Sequence, residues 1–363
     1  MLENFLKLLD GEKADRVVWT ADISYWINGQ KQAGTADPAW DTEEGSLQLH
    51  KDLGVMPYYF YDKFWTGRAV YDKTVEIQQE CNNGITSNRI VTPVGTITEE
   101  SSFMPESCCE GITSHMISSP EDMDILLYIL EHRHLEPCNL EGYAERKALY
   151  EKYDGLPCLG LPRSPLSSLC YEWAGLQDMV YLMFDCEDKV LTALDMIEAE
   201  QQTIINAVCE LAPPLVHFPD NLSSDNLTSY YDEHMRDRHR RRIEKLHSVG
   251  TKCAVHLDGT TQGLLPKLVK SGFDAIEALT PAPAGDLTAA EMQECAGSDS
   301  VILWGGAPGV LFAPPYNWSD MEAHVQGVLE TWKNRPFVLG VADQVPPDGD
   351  ITFCRKIADM LKQ

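Results

Sequence analysis

Short apolar runs alternate with helix-length amphipathic segments over most of the chain. The runs at 16–20, 157–161, 215–218, 254–257, 275–279, 301–304 and 337–341 are almost continuously apolar, and each ends at a polar or glycine-containing loop. Runs of this kind read as strands buried on both faces of a parallel sheet. Between them, 175–184, 190–210, 228–249 and 319–333 have helical length and spacing. In the shorter segment before the 275–279 run, Leu264, Leu265, Leu268 and Val269 share one helical face. Strand–helix repetition to the C-terminus predicts an α/β fold, a (β/α)8 TIM barrel. Seven strands are countable, and an eighth must come from about 53–59, where the pattern is weakest. The rival is a doubly wound open sheet, but no glycine-rich phosphate loop follows any of the strands.

The period changes to two between Val70 and Glu100. Alternating stretches flank Asn82-Asn83-Gly84 and Pro93-Val94-Gly95, which are hairpin turn signals. An antiparallel hairpin insertion over 66–100, set within a single domain of 1–363, is therefore expected. Residues 1–15 read as an amphipathic helix, and Ser119-Pro120, followed by Glu121 and Asp122, reads as a helix start.

A formal charge of −27 argues against nucleic acid and against anionic membrane surfaces as partners. No apolar run approaches the ~18 residues of a membrane span, and the first residues lack signal-peptide character. The eleven cysteines are odd in number and show no CxxC spacing, which predicts reduced thiols and a cytoplasmic chain. Arg236, Arg238, Arg240, Arg241 and Arg242 crowd one helix, but Asp232, Glu233, Asp237 and Glu244 lace the same stretch. That reads either as a site for an acidic partner or as a solvated, ion-paired face.

The candidate chemistry lies at strand ends. One strand closes in His256-Leu257-Asp258-Gly259, the next carries Glu277, and the last ends in Asp343. In a parallel barrel, reactive groups sit where the strands end. His256-x-Asp258-Gly259 also reads as a turn capped by its aspartate. Glu277 stands in an apolar strand, where an unpaired carboxylate is costly, and that marks it as a site residue. Tyr25, Trp26, Tyr58, Tyr59 and Trp65 offer aromatic surface for a flat ligand.

Six phrases fall in an order that resembles the uroporphyrinogen decarboxylase superfamily: Thr92-Pro93-Val94-Gly95-Thr96, Gly160-Leu161-Pro162-Arg163-Ser164-Pro165, His217-Phe218-Pro219-Asp220-Asn221, His256-Leu257-Asp258-Gly259, Ile276-Glu277-Ala278-Leu279-Thr280-Pro281 and Gly340-Val341-Ala342-Asp343. The resemblance runs from about Val17 to about Leu361 and implies the same barrel. It also implies one of two activities: metal-independent decarboxylation of uroporphyrinogen, or methyl transfer involving a cobalt corrinoid with zinc in the barrel mouth. The decarboxylases carry an arginine-rich loop after the first strand. Here that loop reads Asp22-Ile23-Ser24-Tyr25-Trp26-Ile27-Asn28-Gly29 and holds no arginine.

The methyltransferase branch has His-x-Cys at a late strand and a second Cys after the last one. This chain has Asp258 and Asp343 at those places, which makes any bound zinc harder and more oxygen-seeking. The resemblance thus implies His256 and Glu277 as catalytic residues and metal ligands, with Asp258 and Asp343 as further ligands. Tyr25, Trp26, Arg163 and Asn221 are the expected substrate-binding residues. The implied activity is that of an O-demethylase component moving a methyl group from a methyl ether, aromatic by the loop, to the cob(I)alamin of a separate corrinoid protein. Its partners are that protein and a small-molecule methyl donor, and a homodimer is compatible with it. The alternative is a metal-independent decarboxylase of uroporphyrinogen or of a smaller carboxylated substrate. A corrinoid carrier is the third reading, but the Asp-x-His-x-x-Gly phrase of such carriers is absent.

Overall fold

Three sheets make up the strand content of the computed structural model, which describes residues 1–362. In chain order the strands begin β1 (Trp19–Thr20), β2 (Gly67–Tyr71), β3 (Glu76–Asn82), β4 (Ile85–Thr92), β5 (Gly95–Met104), β6 (Cys109–Ser114) and β7 (Arg133–Pro137). They continue as β8 (Leu159–Gly160), β9 (Leu215–Leu222), β10 (Lys252–Leu257), β11 (Ala275–Leu279), β12 (Ile302–Pro308) and β13 (Phe337–Ala342). The large sheet is curled and parallel throughout, in the order β1-β13-β12-β11-β10-β9-β8. Every residue of β11, β12 and β13 is buried, which is why these strands read as unbroken apolar runs.

Seven regular parallel strands are present where eight were expected. The segment from Met56 to Thr66 runs between β1 and β8 without regular pairing. Its backbone bonds Trp19 through the Met56 N–H, and it accepts from Leu156 and Cys158 through the carbonyls of Pro57 and Tyr58. An isolated parallel bridge joins Trp65 to Gly160. Pro57 has no N–H to offer, and a ladder cannot run through it. Gly160 is needed at this seam, because a Cβ there would lie 2.3 Å from the Phe64 ring.

The interior is layered with the period of two that strands impose. Val18, Leu215, Ala254, Ala275, Ile302 and Val338 form one apolar layer, closed from below by Phe5, Leu8 and Leu9 of the first helix, Leu2–Leu9. Phe5 meets Trp304 edge-on at 5.2 Å. Two residues further along the strands stand Thr20, His217, His256, Glu277, Trp304 and Gly340. The core is thus apolar at one end of the strands and becomes polar toward their C-terminal ends.

The antiparallel insertion is larger than the hairpin expected over 66–100. β3 to β6 form a four-stranded sheet reaching Ser114, while β2 pairs separately with β7. Asn83 and Gly84 both take positive φ, 53° and 78°, as the tight turn between β3 and β4 requires. The helix expected over 228–249 is interrupted by a π-helical turn, Tyr231–Met235. That turn brings the Tyr231 hydroxyl inward to His239 Nδ1 at 3.2 Å and Ser271 Oγ at 2.8 Å. Of the clustered arginines, Arg242 is buried against Glu198 and Gln201, and Arg236, Arg238 and Arg240 pair with Asp232, Asp195 and Glu244. Among the described residues no helix is long and apolar enough to cross a membrane.

Candidate functional site

Glu277 gathers three strands and the irregular segment around one carboxylate. Its Oε2 accepts from His256 Nδ1 at 2.7 Å and from His217 Nε2 at 3.1 Å, and its Oε1 accepts from the Tyr58 hydroxyl at 3.2 Å. Glu277 and His256 are direct register partners on β11 and β10, and His217 comes from β9. The ladder is irregular at both central residues, between Val255 and Leu257 and between Ile276 and Leu279. Ala278 accordingly sits at φ 65°, a conformation a non-glycine residue rarely holds. Bulges next to a site re-aim its side chains, and strained backbone collects there.

Burial alone would raise the Glu277 carboxyl, but His256 and His217 hold it well below the usual carboxylate range. For His256, burial alone would depress the imidazole. Glu277 beside it, by charge and hydrogen bond, with Asp258 and Asp343 behind, carries its pKa up to about 10. Without a metal the two form a buried imidazolium–carboxylate pair at neutral pH, and a metal taken up at Nε2 displaces the proton of that nitrogen while Nδ1–H stays on Glu277.

With Nδ1 committed to Glu277, His256 turns Nε2 toward Asp343, 3.9 Å from its Oδ1. Asp343 follows the end of β13 at φ 62°, and burial, opposed by His256 and reinforced by Asp258, pushes its carboxyl up to about 6. His256, Asp258 and Asp343 each present one ligand atom within 4.8 Å of the others, and His217, His256 and Glu277 form a second such set. An imidazole nitrogen with two carboxylates suits a zinc-class ion. A carboxylate behind the histidine is the usual support of a metal-bound imidazole. The first set fits a metal better, because in the second the Glu277 oxygens already carry three hydrogen bonds.

Beside this cluster lies a cavity of about 350 Å³ between the helices Ser24–Ala33 and Glu43–Leu53 and the segment around Tyr58. Tyr58 lines it and also bonds Glu277, so the cavity and the carboxylate cluster share a wall. Asp22 is a buried carboxylate in its wall. There Asp22 Oδ1 accepts from the Ser24 N–H at 2.8 Å, and Oδ2 accepts from the hydroxyls of Tyr59 and, at 3.4 Å, Tyr61.

Of the residues predicted from sequence, His256, Glu277, Asp258 and Asp343 come together, and Tyr25 lines the neighbouring cavity. Trp26 instead packs on Trp40 with ring centroids 5.5 Å apart. Arg163 bonds Glu172 at 3.1 Å and lies over the Trp65 ring at 5.2 Å. Asn221 is exposed at the end of β9, its carbonyl accepting from Tyr171 at 2.6 Å. Neither Arg163 nor Asn221 has a hydrogen bond to the Glu277 cluster among the described residues. Three residues had not been singled out: His217, Tyr58 as a partner of Glu277, and Asp22. For His217 the period of two from Leu215 was the available signal.

Asp220, next to Asn221, is fully buried and accepts from Ser164 N at 2.7 Å, Ser164 Oγ at 2.8 Å and His239 Nε2 at 2.9 Å. It ties the loop after β8 to β9 and to the helix Arg236–His247, and it stands apart from the Glu277 cluster as a structural network.

The sequence signature described as Uroporphyrinogen decarboxylase (URO-D) matches residues 113–363. No curated protein matches the sequence. Among solved structures, a methyltransferase from Methanosarcina mazei is similar at TM-score 0.61 and 14% identity, over 99% of this chain and 97% of that one. A B12-independent methionine synthase from a Shewanella species is similar at TM-score 0.44 and 11% identity, over 89% and 87% of the respective chains.

Proposed function

The chain belongs to the uroporphyrinogen decarboxylase family, and within that family we propose that it is a methyltransferase, taking a methyl group from a methyl ether and passing it to the cob(I)alamin of a separate corrinoid protein. The observation that carries this reading is the orientation of His256, whose Nε2 faces Asp343 and which with Asp258 and Asp343 forms an oxygen-rich set of ligand atoms at the strand ends. A zinc ion held by those three residues would supply Lewis acidity at the ether oxygen. Glu277 would then act on His256 and not on the ion, fixing the ring by its Nδ1–H and favouring its ligand face. Tyr58 and His217 hold Glu277 in turn. The C–O bonding pair stays with the ether oxygen as the methyl group leaves, so the chain's work is to seat the ether, exclude water and leave the barrel mouth open to the acceptor. The Methanosarcina mazei structure bears the name methyltransferase; its likeness speaks for the fold, and the reaction class is inferred from the site.

Decarboxylation is the second reading, favoured by the family's own description. Against it stand Asp22, Asp41 and Asp62 in the cavity wall, a poor lining for a polycarboxylate.

Metal analysis of the purified chain tests the proposal. Zinc at about one equivalent, removable by chelator and lost in His256→Ala, supports it. A chain that takes up no metal, and that turns over uroporphyrinogen without corrinoid protein, belongs to the second reading.

A further inference from the structure

The cavity beside the cluster has a chemical character that a neutral ether does not use. Its wall includes Tyr25, Trp40, Tyr58, Tyr59 and Tyr61. Tyr58 stands 86° to Tyr59 with centroids 4.6 Å apart, and Tyr59 stands 80° to Tyr61 at 5.1 Å. The wall is thus rich in aromatic rings whose faces are set at steep angles to one another. Such faces attract a cation through their quadrupole, most strongly where water is excluded.

The charges in the wall agree in sign. Lys31 is tied to Asp41 at 2.5 Å, and among the described residues neither Asp22 nor Asp62 makes a salt bridge. His50 keeps its Nδ1 on the Ser46 carbonyl at 2.8 Å, and burial pushes its pKa down, so it adds no positive charge at neutral pH. Asp22 is buried, which raises its carboxyl, and two phenol hydroxyls and one N–H offset only part of the cost of charging it. A cation in the cavity would offset the remainder. An uncharged guest would leave Asp22 as it is. The −27 charge of the whole chain draws cations toward any such opening.

We propose that this cavity binds an ammonium group, quaternary or protonated, and that the small molecule recognised here is a cation. Tyr58, which lines the cavity and donates to Glu277, is the residue the two sites have in common. That the cation is the methyl donor rests on the methyl-transfer reading; that the cavity holds an ammonium group does not.

Calorimetric titration of the full chain, without corrinoid, compares choline with its uncharged isostere 3,3-dimethylbutan-1-ol. Choline binds saturably, and the isostere binds at least about tenfold more weakly. Tyr61→Ala, at a half-exposed ring, weakens choline about tenfold at an unchanged Tm, and Asp22→Asn removes the preference for the charged guest. Equal binding of the two isosteres, or no binding of choline to the wild-type chain, overturns the proposal. Neither result bears on methyl transfer, which needs the corrinoid to be observed.

Discussion

His256 donates its Nδ1 proton to Glu277 at 2.7 Å, and this one bond decides which face of the imidazole is free. The remaining nitrogen looks toward Asp343, at the end of the last strand, and away from the apolar layer below. Glu277→Gln keeps the volume but removes the charge and places an amide N–H₂ where an acceptor is needed. Zinc affinity should fall by about 10–100-fold, read by competition with a coloured chelator. An unchanged affinity would mean that Glu277 does not orient the ligand histidine.

The first helix closes the apolar end of the sheet, with Phe5 fully buried against Trp304. Phe5→Ala leaves a cavity under the whole layer. A loss of about 3–5 kcal/mol in urea unfolding is expected. A loss below about 1 kcal/mol would show that the helix adds little to the core.

Gly160 faces the Phe64 ring at the seam between β8 and the irregular segment. Gly160→Ala forces the ring aside, and overpacking of this kind costs roughly 1–3 kcal/mol. Pairing the change with Phe64→Leu should return part of that loss, which a double-mutant cycle would measure.

Asp220 gives the fold an acid limb. Burial alone would raise its carboxyl, but His239 and Ser164 hold it below the usual carboxylate range. Its folded-state pKa thus lies below the unfolded value of about 3.9, so its stabilisation is complete above that pH. It is lost as pH falls from about 4 toward the folded value. Asp220→Asn should cost about 3 kcal/mol at pH 7, with a gap to wild type that narrows below pH 4. A gap constant with pH would assign the effect to packing.

Much of this was legible in the chain because burial on both faces writes strands as unbroken apolar runs, and because a carboxylate inside such a run, as at Glu277, needs a partner. His256, Asp258 and Asp343 followed from their places at strand ends. No regular eighth strand forms where one was expected, since Pro57 and the aromatic run through Trp65 bond their neighbours without a ladder. His217 was hidden inside an apolar phrase, and nothing in the identity of Ala278 announces a positive φ. Trp26 and Tyr25 are adjacent and both aromatic, yet only Tyr25 lines the cavity. Which neighbour faces inward depends on the packing of the helix Ser24–Ala33 against Trp40.

The most direct test of the account is the visible spectrum of cob(I)alamin mixed with the zinc-loaded chain and a panel of methyl ethers, including ethers that carry an amine. The account predicts conversion to methylcobalamin with at least one donor, abolished by chelator and by His256→Ala. If no donor in the panel methylates cobalt, while uroporphyrinogen or a smaller acid loses carbon dioxide on the metal-free chain, the methyl-transfer account is contradicted.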